Sequence, residues 1–192
     1  ADVETVGVDP DGFNINHGVG ATAPRALQEA VKRHKADLGI ALDGDGDRIV
    51  MADAAGKLYD GDQLLYVIAR HRKQKGELAG GVIGTQMTNL AFEHALARLK
   101  VPFARAKVGD RYVLEMLLAR HWKLGGENSG HIACLDKHTT GDGIVSALQV
   151  LTALRESKAS LAHLTADLVM FPQVLVNVPV PQGFAWQKDR GI

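Results

Sequence analysis

The chain has 192 residues, 46% of them apolar, enough to bury a core in one large domain or two small ones. Its 22 Lys and Arg balance its 22 Asp and Glu, no basic block breaks the balance and aromatics are few, which argues against nucleic acid as a partner. The single cysteine, Cys134, excludes an intrachain disulfide and a multi-thiolate metal site; no apolar run approaches the ~20 residues that span a bilayer, and the start shows no leader pattern, so no membrane contact and a cytoplasmic location are expected.

In chain order, "TVGV" reads as a short strand. "HGVGATAP" fits G-x-G-x-x-A at Gly18, Gly20 and Ala23, but "DGFNINH" before it is too polar for a buried parallel strand, so the segment is read as a loop and helix entry rather than a dinucleotide site. Pro24 then opens "PRALQEAVKRHK" at the first helical position, with Leu27, Ala30, Val31 and His34 on one face. "ADLGIAL" and "RIVMAD" are strands, the second turning at Ala54–Lys57 into a short return strand. A domain boundary is expected near Asp60.

Beyond it, "DGDQLLYVIARHRKQKG" is a helix with Asp60 or Asp62 as N-cap and Gly76 as its stop. The strand "GGVIGT", helix "TNLAFEHALARLK", strand "VPFARAKV", helix "DRYVLEMLLARH", segment "WKLGGENSGHIACL" and helix "GDGIVSALQVLTAL" continue the alternation, and "FPQVLVNVPVP" reads as a final strand. The expected fold class is α/β: two consecutive units of mixed sheets packed with helices, over 1–59 and 60–180, with 181–192 as linker.

Two short stretches carry the chemistry. In "DGDGDR", Asp43, Asp45 and Asp47 stand at i, i+2 and i+4, and the intervening glycines let the backbone curl until the carboxylates converge. Such anions repel one another unless a cation neutralises them; hard oxygen ligands with no His or Cys nearby in the sequence suit Mg²⁺, which commonly shares its coordination sphere with a phosphate. An EF-hand is excluded because the sixth and twelfth loop positions hold Arg48 and Ala54 where glycine and glutamate are required. Arg48 fits either a phosphate beside the metal or a salt bridge to a neighbouring aspartate. In "GGENSGHI", Glu127, Ser129 and His131 repeat the spacing with a carboxylate, a hydroxyl and an imidazole, a set that suits the hydroxyls of a sugar. The other histidines and Cys134 are read as structural.

The pairing of "DGDGDR" with "GENSGH", together with "FARAKVGDRYVLEML" and "TTGDGIVSALQVL", closely resembles the α-D-phosphohexomutase superfamily, and within it the bacterial branch acting on glucosamine phosphates. The resemblance implies that Asp43, Asp45 and Asp47 bind Mg²⁺, that Arg48 lies near the reactive phosphate, and that Glu127 and Ser129 hold sugar hydroxyls. It further implies His131 as an acid/base and sugar contact, and Lys107 (catalytic) and Asp110 (substrate-binding) in a loop that approaches the sugar phosphate. Relatives have four domains. The phosphoserine loop "TASHNP" of the first and the phosphate loop of the fourth do not occur here, and none of the four serines present (Ser129, Ser146, Ser157 and Ser160) lies in such a loop. The expectation is therefore a piece containing part of domain two and domain three, inactive alone. Its parent would interconvert glucosamine 6-phosphate and glucosamine 1-phosphate through a 1,6-bisphosphate. A phosphomannomutase or phosphoglucomutase, or a non-catalytic metal- or sugar-phosphate-binding module, are the alternatives.

Overall fold

The computed structural model describes residues 2–174, 176, 178 and 179. Helix α1 (Arg25–His34) leads into β1 (Leu38–Leu42), β2 (Ile49–Asp53) and β3 (Leu58–Tyr59), which form an antiparallel sheet in the order β1-β2-β3. Pro24 stands at the N-cap, one position before the expected one, a shift within the ordinary uncertainty of a helix end. On the expected face Val31 is buried and Leu27 and Ala30 half-buried, whereas His34 is exposed because α1 lies over one edge of a small sheet. Thr5–Val8 forms no strand: Val6 and Val8 are exposed, and among the described residues β1 pairs only with β2.

The second unit begins with α2 (Gly61–Lys75). Asp60 is its N-cap: its side chain accepts from Gln63 N while the Gln63 side chain accepts from Asp60 N, and Gly76 closes the helix at φ +71°. Then follow β4 (Val82–Thr85), α3 (Leu90–Arg98), β5 (Phe103–Ala106), α4 (Asp110–Arg120), β6 (Leu124–Gly126), β7 (Ile132–Cys134), α5 (Gly143–Ser157) and the short α6 (Leu161–Leu164). The sheet runs β5-β4-β6-β7, with β4 parallel to β5 and β6, and β7 antiparallel at one edge. Every residue of β4 is buried, as expected for the centre of a sheet covered on both faces.

Val113 and Leu117 of α4 pack on Ile83, Ala106 and Ala133 on one face. On the other face α2, α3 and α5 share a core that also takes Ile49, Met51 and Tyr59 from the first sheet. Apolar burial is therefore continuous from the first sheet into the second unit, and it holds the loop between β1 and β2 against α5 and the β6–β7 connection. The β6–β7 hairpin was not separable in the sequence, because Gly125 and Gly126 remove the side-chain alternation that marks a strand. Of the expected strand 171–181, residues 171–174 form none; the remainder, like the expected linker 181–192, lies largely or wholly outside the described residues.

Candidate active site

The loop from Asp43 to Arg48 is folded by its own hydrogen bonds. Gly46 N donates to Asp43 O (3.1 Å) and Arg48 N donates to the Asp43 carboxylate (3.0 Å). One tie comes from afar: Gly143 N, in the first turn of α5, donates to Gly46 O (2.9 Å). The result brings ligand oxygens of Asp43, Asp45 and Asp47 within 4.8 Å of one another, the one such grouping of three among the described residues. Burial pushes the Asp47 carboxyl above the usual carboxylate range; Asp43 and Asp45 add to the rise, and His131 and Arg48 oppose it. Asp47 Oδ1 is buried without a hydrogen-bond partner. Convergent hard oxygens, one of them unsatisfied, fit a divalent cation of the Mg²⁺ kind.

Arg48 sits beside this cluster, its Nε 3.6 Å from Asp43 and 3.9 Å from Asp47. The side chain is 48% exposed, so the ion pair leaves much of the guanidinium open to an incoming phosphate.

The turn from Glu127 to His131 joins β6 to β7; it is closed by Gly130 N to Glu127 O (3.0 Å) and Glu127 N to His131 O (2.9 Å) and is tied to remote parts of the chain. Gly61 N donates to Asn128 O (3.1 Å), Ile49 N to Gly130 O (3.2 Å) and Gly109 N to Glu127 Oε1 (2.9 Å). Arg48 and His131 form an antiparallel bridge. Gly130 has φ +99°, and a Cβ there would lie 2.2 Å from Ile49 O, so only glycine permits this approach. Ser129 is exposed at the turn and Glu127 half-buried, whereas His131 is 5% exposed with its Nε2 3.6 Å from Asp47 Oδ2 and its Nδ1 unpartnered.

His131 also lines a cleft of about 180 Å³ with Asp110, Arg111, Leu114, Thr140 and Gly141. Asp110, exposed at the start of α4, thus faces the same space as His131. Lys107 is exposed, its Nζ 5.7 Å from the centre of the Tyr112 ring. The structure accordingly brings the three aspartates, Arg48 and His131 into one cluster and ties Glu127 to the loop of Lys107 and Asp110. Two anchors escaped the reading of the sequence. Gly109 takes one oxygen of Glu127, and the only trace of this in the sequence is a glycine in "KVGDR". Asp62, in the first turn of α2, is fully buried and accepts from Asn89 N (2.7 Å) at the start of α3; burial pushes its carboxyl up to about 7. Its only signal was that it stood as the alternative cap to Asp60.

Comparison with known proteins places these loops in a family. Residues 5–56 match phosphoglucomutase/phosphomannomutase alpha/beta/alpha domain II, and residues 60–170 match alpha/beta/alpha domain III. The chain is 64% identical to phosphoglucosamine mutase of Nitrosospira multiformis over 96% of its own length, and 65% identical to that of Azoarcus sp. over all of it. It spans only 40% and 42% of those two relatives. In fold it is similar to Aspergillus fumigatus N-acetylphosphoglucosamine mutase, a structure solved in complex with GlcNAc-6P and magnesium, with a TM-score of 0.69 and 21% identity over 90% of this chain and 44% of that one. No helix among the described residues is long and apolar enough to cross a membrane. The chain belongs to the phosphoglucomutase/phosphomannomutase family, the α-D-phosphohexomutases, and carries sequence of its second and third domains.

Proposed function

We propose that this chain is the metal- and sugar-holding part of a phosphoglucosamine mutase, an isomerase that interconverts glucosamine 6-phosphate and glucosamine 1-phosphate. The observation that carries the reading is the convergence of Asp43, Asp45 and Asp47 beside Arg48 and against the Glu127–His131 turn, in a chain whose relatives at 64% and 65% identity bear that name. The division of labour follows the domain boundary near Asp60: the first unit offers the metal ligands, the second the sugar contacts.

Asp43, Asp45 and Asp47 would hold Mg²⁺, which supplies Lewis-acid stabilisation of charge on a transferred phosphoryl group. Arg48, half-exposed beside them, binds the same phosphate by paired hydrogen bonds and stabilises its transition-state charge. Glu127 has one oxygen fixed by Gly109 N and offers the other to sugar hydroxyls, with Ser129 as a second contact. His131, Lys107 and Asp110 lie around the approach of the sugar; His131 and Lys107 are the groups suited to hold or move a proton at the reacting hydroxyl, and Asp110 is suited to bind. The phosphoserine and a further phosphate-binding loop would come from other domains of a longer chain, so this piece alone would not turn over.

The test is a mutase assay on the full-length protein carrying this sequence, with glucosamine, glucose and mannose 6-phosphates. Preference for glucosamine 6-phosphate is expected; preference for mannose 6-phosphate would overturn the amino-sugar assignment in favour of a phosphomannomutase. Arg48→Gln should lower kcat roughly 10²–10³-fold, the usual cost of a lost charge-stabilising donor. Turnover by the 192-residue chain alone would contradict its assignment as an incomplete enzyme.

A further inference from the structure

The three aspartates must stay together before any cation arrives, although their charges push them apart. Asp43 has the backbone of Arg48 to hold it, through Arg48 N at 3.0 Å. Asp47 has no backbone donor of this kind: Oδ1 is buried without a hydrogen bond, with only Arg48 Nε near it at 3.9 Å, and Oδ2 faces His131 Nε2 at 3.6 Å, an ion-pair distance. His131 comes from the other unit, yet its place is fixed on three sides. Its backbone is bridged to Arg48, its carbonyl accepts from Glu127 N (2.9 Å), and its ring lies against Gly141 so closely that a Cβ there would sit 2.2 Å from Nε2. The side chain is 7% exposed, a degree of burial suited to fixing a neighbour's orientation.

We propose that His131 is a positioning residue for the metal site: its Nε2 holds one oxygen of Asp47 and leaves the other directed at the cation shared with Asp43 and Asp45. The inference rests on the metal reading above and adds a role across the junction of the two units, independent of any proton that the ring moves for the sugar. Partners of this kind orient ligating carboxylates, and their loss typically weakens metal binding 10–100-fold. Because the contact links the β1–β2 loop to the β6–β7 turn, it also makes metal affinity depend on how the sugar-holding turn is seated.

The experiment is Mn²⁺ titration of the full-length protein carrying this sequence, with free Mn²⁺ followed by electron paramagnetic resonance. His131→Leu should weaken binding about 10–100-fold. His131→Gln, whose amide nitrogen falls near the position of Nε2, should restore affinity to within about threefold, whereas His131→Asn, whose amide reaches only the position of Nδ1, should stay as weak as His131→Leu. In an Asp47→Asn background, His131→Leu should cause no additional loss. Equal affinities for the Gln and Asn variants, or a full further loss in the Asp47→Asn background, would overturn the proposal. If His131→Leu does not fold, the comparison of Gln with Asn decides alone. Absence of any Mn²⁺ binding that Asp43→Asn removes would bring down the metal reading itself, a result distinct from binding that ignores position 131.

Discussion

The loops Asp43–Arg48 and Glu127–His131 carry polar side chains at the same spacing between glycines, yet they are held differently. The first is folded by bonds within five residues, Gly46 N to Asp43 O and Arg48 N to the Asp43 carboxylate, with Gly143 N as a distant donor and the Arg48–His131 bridge at its end. The second also has local bonds, Gly130 N to Glu127 O and Glu127 N to His131 O, but adds three donors far away in the chain, Gly61 N, Ile49 N and Gly109 N. A locally specified loop tolerates change in its surroundings. A loop with several remote ties is exposed to changes in each of them, and here it contacts the other loop through Gly130 and His131.

Substitutions at glycines should break the comparison most sharply. Gly130→Ala puts a Cβ 2.2 Å from Ile49 O at φ +99° and should cost at least ~3 kcal/mol, read by urea denaturation. A loss under 1 kcal/mol would show that the turn is not pinned to β2 as described. Gly46→Ala, by contrast, meets nothing within 4 Å and carries only the strain of φ +74°, so it should cost ~1 kcal/mol.

Asp62, buried where α2 begins and against the start of α3, has Asp60 and Arg105 as its charged neighbours. Its carboxyl is raised from 3.8 to about 7. The folded state therefore binds a proton that the unfolded state has released; the contribution is fully present below about pH 4 and is lost as pH rises through 7. Stability should fall by roughly 4 kcal/mol across that window, and Asp62→Asn should flatten the slope. An unchanged slope in Asp62→Asn would assign the pH dependence elsewhere.

Much of this molecule was legible because its signals are local. An aspartate cap at Asp60 or Asp62 with Gly76 bounds α2, the apolar run of "RIVMAD" gives β2, and "DGDGDR" announces its own curl. What could not be read depends on partners distant in sequence. "TVGV" has the composition of a strand but no pairing neighbour among the described residues, and Gly125 and Gly126 hide a strand that exists because β4 and β7 flank it. The site divides the same way: the convergence of the aspartates was visible, whereas the burial of His131 against Asp47 and the hold of Gly109 on Glu127 arise only when distant segments pack.

The account stands on the claim that the three carboxylates converge for a divalent cation, and calorimetric titration of Mg²⁺ into the full-length protein and its Asp45→Asn variant tests it most directly. Asp45 is exposed and has no ion-pair or hydrogen-bond partner among the described residues, so its replacement should leave metal-free stability unchanged or slightly raised through relieved repulsion. The account predicts at least a ~10-fold loss of Mg²⁺ affinity in that variant. Equal affinity in the two proteins, or no saturable Mg²⁺ binding in either, would contradict it.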